Sequence, residues 1–202
     1  MPPTNDFQAP KGTRDLDPLD AAKRRFIMEA WRRASIIHGF DEIDGPTFEH
    51  LDLYTVKSGE GIVSELFSFR REGGEKDYAL RPEFTPTLAR LYAARANALP
   101  RPTRWFMAGP FFRAEKPQRG RYREFMQCDF DTIGTDSAAS DIETLFVIHD
   151  LIERIGFSKF TVRVNHRQLL NGLLESIGLA EKSARVLRAL DKLGKVGRDA
   201  VA

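Results

Sequence analysis

Cysteine is almost absent from this 202-residue chain: Cys128 is the only thiol. One thiol closes no internal disulfide, so the fold has to be held by its core, and this usage fits a reducing compartment. Charge of one sign is lacking as well. Thirty-one basic against 29 acidic residues leave a net charge of +2. That bias is too slight to mark a polyanion partner, so any nucleic-acid signal has to come from local clustering. No apolar run approaches the length of a membrane span. The start, Met1-Pro2-Pro3-Thr4-Asn5-Asp6, has neither the basic nor the apolar part of a signal peptide. Together these absences predict a soluble protein of the cytoplasm with no membrane partner. There is no P-loop and no Gly-x-Gly-x-x-Gly, which excludes nucleotide sites of those kinds. The four histidines, at 38, 50, 149 and 166, show no ligand spacing and have no cysteine partner, so no metal site is expected.

What is present reads as one sizeable domain, or one domain and the start of another. After a polar, Pro- and Gly-containing opening, a helix is predicted over residues 18–38. Asp17 caps it and Pro18 suits its first position, Phe26, Ile27, Ala30, Trp31, Ala34 and Ile37 recur at helical spacing, and Gly39 stops it. Residues 40–48 read as an extended stretch broken by Gly45-Pro46, and 51–57 as one or two helical turns. Residues 67–71 and 77–81 flank Gly73-Gly74, a hairpin by composition. A helix is predicted after Pro86, over 87–98. Two aromatic-rich strands, 103–112 and 123–133, are joined by a basic loop. A helix capped by Asp136 or Ser137 then runs to Gly156, a strand is predicted over 160–164, and helices over 166–177 and 180–193. Hairpin-linked strands with helices between them predict an α+β fold, with an antiparallel sheet of about five or six strands flanked by helices. Residues 195–202 read as continuing helix, so the sequence is expected to be a fragment.

The segment from Trp105 to Gly134 carries the chemistry. Arg113 ends an apolar strand, where a guanidinium is costly to bury without an anion. Lys116, Arg119, Arg121 and Arg123 follow around Gly120. A rigid strand pair presenting such a loop suits phosphate or nucleic-acid binding, and a solvated basic hairpin is the plainer alternative.

The full pattern is more specific than its charge. Arg113-x-Glu115, followed by Gly120-Arg121-Tyr122-Arg123-Glu124-Phe125-x-Gln127, resembles motif 2 of the class II aminoacyl-tRNA synthetases. The run from Arg121 to Cys128-Asp129-Phe130-Asp131 is similar to the histidyl-tRNA synthetase family. Three further segments agree, in order. Pro10-Lys11-Gly12-Thr13-Arg14-Asp15 resembles that family's opening signature, residues 39–43 with Pro46 resemble motif 1, and Leu80-Arg81-Pro82-Glu83-Phe84-Thr85-Pro86 resembles an amino-acid-binding segment. The resemblance covers roughly residues 8–165 and implies the first half of a class II catalytic core (1–165). Residues 166–202 would be a helical run-out toward an insertion.

That resemblance implies histidine–tRNA ligase activity, with ATP as substrate, Mg²⁺ carried on the nucleotide, tRNA(His) as acceptor, and a homodimer with motif 1 at its interface. Arg113 matches the α-phosphate arginine and catalytic residue. Glu115 matches the acid near the adenine amino group, Phe125 the ring under adenine, and Arg121 a contact to the terminal phosphates. Lys116, Arg119 and Arg123 fall in the tRNA-facing loop. Glu83, Thr85 and Gln127 match positions holding the α-amino group of histidine, and all three supply acceptors to an ammonium. Asp131 matches the acid that hydrogen-bonds the imidazole. By sequence alone, Glu83 and Thr85 serve equally as caps of the helix after Pro86. Two other functions stay open: the synthetase-like regulatory subunit of ATP phosphoribosyltransferase, and a class II ligase for proline or threonine.

Overall fold

The computed structural model describes residues 7–197. The sequence readings at residues 1–6 and 198–202 lie outside the described residues. The chain divides into two compact units, 1–158 and 159–202, seven residues before the 165/166 division expected from sequence.

In the first unit, α1 (Pro18–Ile37) starts as its cap predicts: Asp17 accepts a hydrogen bond from the Asp20 backbone N–H. Two three-stranded sheets follow. The first has the order β1-β5-β6, from β1 (Asp41–Glu42), β5 (Thr103–Phe112) and β6 (Glu124–Ile133). The second has the order β2-β4-β3, from β2 (Phe48–His50), β3 (Ser68–Arg70) and β4 (Asp77–Leu80), all antiparallel. Among the described residues there are six strands, but they are shared between two sheets rather than gathered in the one antiparallel sheet expected, and β1 runs parallel to β5. The Gly45-Pro46 break separates β1 from β2: without an N–H on Pro46 and with the chain bent there, one strand cannot continue into the other.

The β5–β6 register decides which side chains share a face. Trp105 lies opposite Asp131, Met107 opposite Asp129, Gly109 opposite Gln127 and Phe111 opposite Phe125. Residues directly opposite share a face of the sheet, and that face changes with each step along the strand. One face, carrying Phe106 with Cys128 and Phe130, packs on Phe40 and on Val147 of α4 (Ala138–Arg154). The other carries Trp105, Met107 and Phe111, which close with Phe84 and with Leu88 of α3 (Thr85–Ala93). A third cluster, Tyr54, Leu66 and Ala79, seats α2 (Leu51–Ser58) on the second sheet. Helix α3 starts two residues earlier than expected, because Pro86 fits its first turn, and it ends at Ala93.

The second unit holds α5 (Arg167–Ser176) and α6 (Ser183–Val196), joined through a 3-10 turn at Ala180–Lys182. The strand expected at 160–164 does not form. Alternation supplies the side-chain pattern of a strand, but a ladder needs a neighbour to bond to, and Val162 and Val164 remain exposed. Among the described residues no helix is long and apolar enough to cross a membrane.

Candidate functional site

The loop between β5 and β6 is built as a rigid turn. Gln118 and Arg121 exchange both backbone hydrogen bonds, at 3.1 and 2.9 Å. Gly120 takes φ +77° in the turn, a conformation that strains any residue with a Cβ. Around this turn Arg113, Glu115, Lys116, Pro117, Gly120, Arg121, Tyr122 and Phe125 line a pocket of ≈110 Å³. All four residues matched to ATP contacts therefore meet in one place.

Within it, Arg121 Nη2 lies 2.7 Å from Glu115 Oε2. Arg113 donates from Nε to the Pro82 carbonyl at 3.3 Å, and its guanidinium carbon sits 5.1 Å from the centre of the Phe125 ring. Phe125 in turn stacks on Phe111, centroids 6.2 Å apart. Arg113 is thus held at one nitrogen, with donors left over for an anion.

Of the three loop cations, Lys116 and Arg119 are exposed. Arg123 is placed differently. Its Nε donates to the Glu115 carbonyl at 3.1 Å and its Nη1 to the Lys11 carbonyl at 3.3 Å, while its backbone N–H bonds Gly12 O at 2.8 Å. Gly12 is needed there: a Cβ on it would meet the Arg123 side chain at 2.9 Å. The opening signature consequently braces the loop from below, and the Arg14 guanidinium stacks 3.8 Å over the Tyr122 ring.

Gln127, Asp129 and Asp131 stand on one face of β6, the face shared with Gly109. A Cβ on Gly109 would meet Arg81 Nη2 at 2.8 Å. Arg81 does not stand out in the sequence, yet it is buried and ties three segments together. It donates to the carbonyls of Pro110 at 2.9 Å and Gly45 at 3.0 Å, and pairs with Asp44 at 3.4 Å. Asp129 is a second residue that the sequence reading misses: its carboxylate accepts from Gln127 Nε2. Period-two counting from Gln127 finds Asp129, since 127, 129 and 131 must share a face.

Burial pushes the Asp129 carboxyl above the ordinary range; the Gln127 hydrogen bond opposes that, Glu83 adds to it, and Arg113 and Arg81 oppose it. Asp131 is pushed up by burial and then by the charge of Asp129, and it has no hydrogen-bond partner among the described residues. Glu83 lies close enough to Asp129 to act on it electrostatically. Thr85, by contrast, is exposed in the first turn of α3. Phe84 holds the N-cap position of α3 and makes no side-chain cap bond.

Cys128, on the opposite face of β6, is raised to about 11 by burial and packs as an apolar side chain. Among the described residues no group of three or more His, Cys, Asp or Glu side chains could hold a metal ion.

A histidine–tRNA ligase of Rhodopirellula baltica is 46% identical over 192 residues, which is 95% of this chain and 43% of the relative. One from Methanocorpusculum labreanum is 42% identical over 186 residues, covering 92% and 45%. The chain thus spans under half the length of these relatives. A Bacillus halodurans structure, described as an ATP phosphoribosyltransferase regulatory subunit/histidyl-tRNA synthetase, aligns with a TM-score of 0.79 at 26% identity over 98% of this chain and 51% of its own. A Nostoc histidyl-tRNA synthetase shares the fold, with a TM-score of 0.79 at 23% identity over 95% and 44%. A family model for histidyl-tRNA synthetase matches residues 12–196, and the chain belongs to that family.

Proposed function

We propose that this chain supplies the first half of the catalytic core of a cytoplasmic histidine–tRNA ligase, residues 1–165 forming that half and 166–202 a helical run-out. The observation that carries the reading is the continuity of two sites on one strand pair. The Arg113–Glu115–Arg121–Phe125 pocket lies at the loop end of β6, and the Gln127–Asp129–Asp131 face continues from it.

In this reading ATP enters with adenine against Phe125 and its amino group toward Glu115. Arg121 meets the terminal phosphates, and Mg²⁺ arrives on the nucleotide. Histidine binds with its ammonium toward Glu83, Thr85 and Gln127 and its imidazole toward Asp131. A carboxylate oxygen of histidine then attacks the α-phosphorus, the bond from that phosphorus to the bridging oxygen breaks, and pyrophosphate leaves. Charge grows on the non-bridging oxygens as this happens, and the donors Arg113 keeps available oppose it where it forms. A ribose hydroxyl at the 3′ end of tRNA(His) then attacks the carbonyl carbon, the bond from that carbon to the phosphate oxygen breaks, and AMP leaves. The tRNA is approached by Lys116 and Arg119, with Arg123 shaping the loop from within.

A homodimer completes the reading. Leu19, Phe26, Ile36 and Ile37 of α1 stay exposed, apolar area of the kind a partner subunit covers. The regulatory-subunit alternative requires no ATP chemistry at this pocket, whereas the paired Glu115 and Arg121 beside Arg113 are equipment for it. Histidine-dependent exchange of pyrophosphate into ATP, by a protein carrying this chain together with the family's second half, tests the proposal. Exchange that is absent, or driven by another amino acid, overturns it.

A further inference from the structure

Asp129 contacts neither substrate in the proposed reaction, yet it occupies the middle of a ten-residue strand, where aspartate is an unfavourable choice on propensity. Its carboxylate accepts a hydrogen bond from Gln127 Nε2, two residues away on the same face. A primary amide has ends of opposite character, Nε2 donating and Oε1 accepting, while an ionised carboxylate only accepts. Docked on Asp129, Gln127 is therefore restricted to one of its two flipped states.

We propose that Asp129 is a positioning residue that locks the Gln127 side-chain amide with its carbonyl oxygen turned to the α-ammonium of the amino-acid substrate. The inference rests on the proposed binding of histidine at this face. A flipped amide would set N–H donors against an ammonium that can only donate, exchanging an attraction for a repulsion. Burial, first, and the charge of Glu83 push the Asp129 carboxyl up, while the Gln127 bond and the guanidiniums of Arg113, from the end of β5, and Arg81, from the end of β4, oppose them. The ionised form is the one that fixes the amide. The two acids of β6 thus divide the work: Asp131 serves the substrate side chain, and Asp129 serves the substrate amine through Gln127.

A double-mutant cycle in the protein that carries this chain together with the family's second half tests the lock, with L-histidine as the ligand and binding read by calorimetry. With Gln127 present, Asp129→Asn should weaken histidine by about tenfold, the scale of one charge-assisted hydrogen bond. In a Gln127→Ala background the same change should cost less than about twofold, because nothing is left to orient. An equal loss in both backgrounds means that Asp129 acts by its own charge or through the fold, and overturns the proposal; so does no loss when Gln127 is present. Failure of the unsubstituted protein, both halves present, to bind histidine at all removes the histidine reading itself, and is seen before any variant is made. A second measurement does not depend on the variants folding. In the ¹⁵N-labelled unsubstituted chain, one Gln127 Nε2 proton should lie downfield and return toward the ordinary position as acid protonates Asp129. An ordinary shift insensitive to acid overturns the lock.

Discussion

On one side of the β5–β6 pair, Phe106, Cys128 and Phe130 close against Phe40 and Val147. On the other side, one residue out of step, the same strands present Gly109, Gln127, Asp129 and Asp131 beside Trp105 and Met107. The first side holds the fold together, and the second is the one proposed to bind histidine. Burial raises a thiol on the first to about 11, and it is the leading cause that pushes up two carboxyls on the second, where ionisation is made costlier. One strand pair can carry both because alternation separates the two sets of side chains without any change in the backbone.

The comparison breaks most readily on the apolar side. Phe106 is buried, and Phe106→Ala should cost about 3–5 kcal/mol of stability, measured by chemical denaturation. A cost under about 1 kcal/mol would mean that this face is not the structural one.

On the binding side, Arg113→Ala should remove about 2.7–4 kcal/mol of transition-state stabilisation, by analogy with single oxyanion donors. It should leave the denaturation midpoint nearly unmoved, since Arg113 makes a single long bond to Pro82 O. Pyrophosphate exchange in the complete enzyme reads the first effect, and a large loss of stability would contradict the second.

A subtler variant sharpens the contrast. Asp131 has its carboxyl raised by burial and by Asp129, so the native state holds that proton more tightly than the unfolded chain does. Its contribution to stability is present below the ordinary aspartate pKa and is lost as pH rises through the raised value. Asp131→Asn should therefore raise the melting temperature at neutral pH while weakening histidine and sparing ATP. Calorimetry showing both ligands weakened equally would make Asp131 a structural residue.

The smallest effect is expected at the exposed cations. Lys116→Ala with Arg119→Ala should flatten the salt dependence of tRNA binding by roughly 0.7–0.9 in log–log slope per charge removed. Arg123→Ala should act instead on loop geometry, through its bonds to Glu115 and Lys11.

Much of this architecture is legible in residues read along the chain. The helix from Pro18, the hairpin around Gly73-Gly74 and the two long strands follow from period, caps and turn residues. The loop cations and Arg113 stand out because charge at the end of an apolar strand needs an explanation. Arg81 does not stand out. Its importance lies in the carbonyls of Gly45 and Pro110, 36 and 29 positions away, and local sequence carries no record of them. Residues 160–164 mislead for the converse reason, since a strand is a property of two segments and the pattern describes one.

Residues near one another along the chain are enough for most of the helices, the two long strands, the alternation that puts Gln127, Asp129 and Asp131 on one face, and the family, but not for the strand expected at 160–164. Only the tertiary structure decided that the strands form two sheets, that Arg123 braces the loop against Lys11 and Gly12 rather than facing outward, and that Gln127 is bound by Asp129. Each of these depends on which backbone and side-chain groups find hydrogen-bond partners once the chain is folded, and in the sequence alone those partners are not yet assigned.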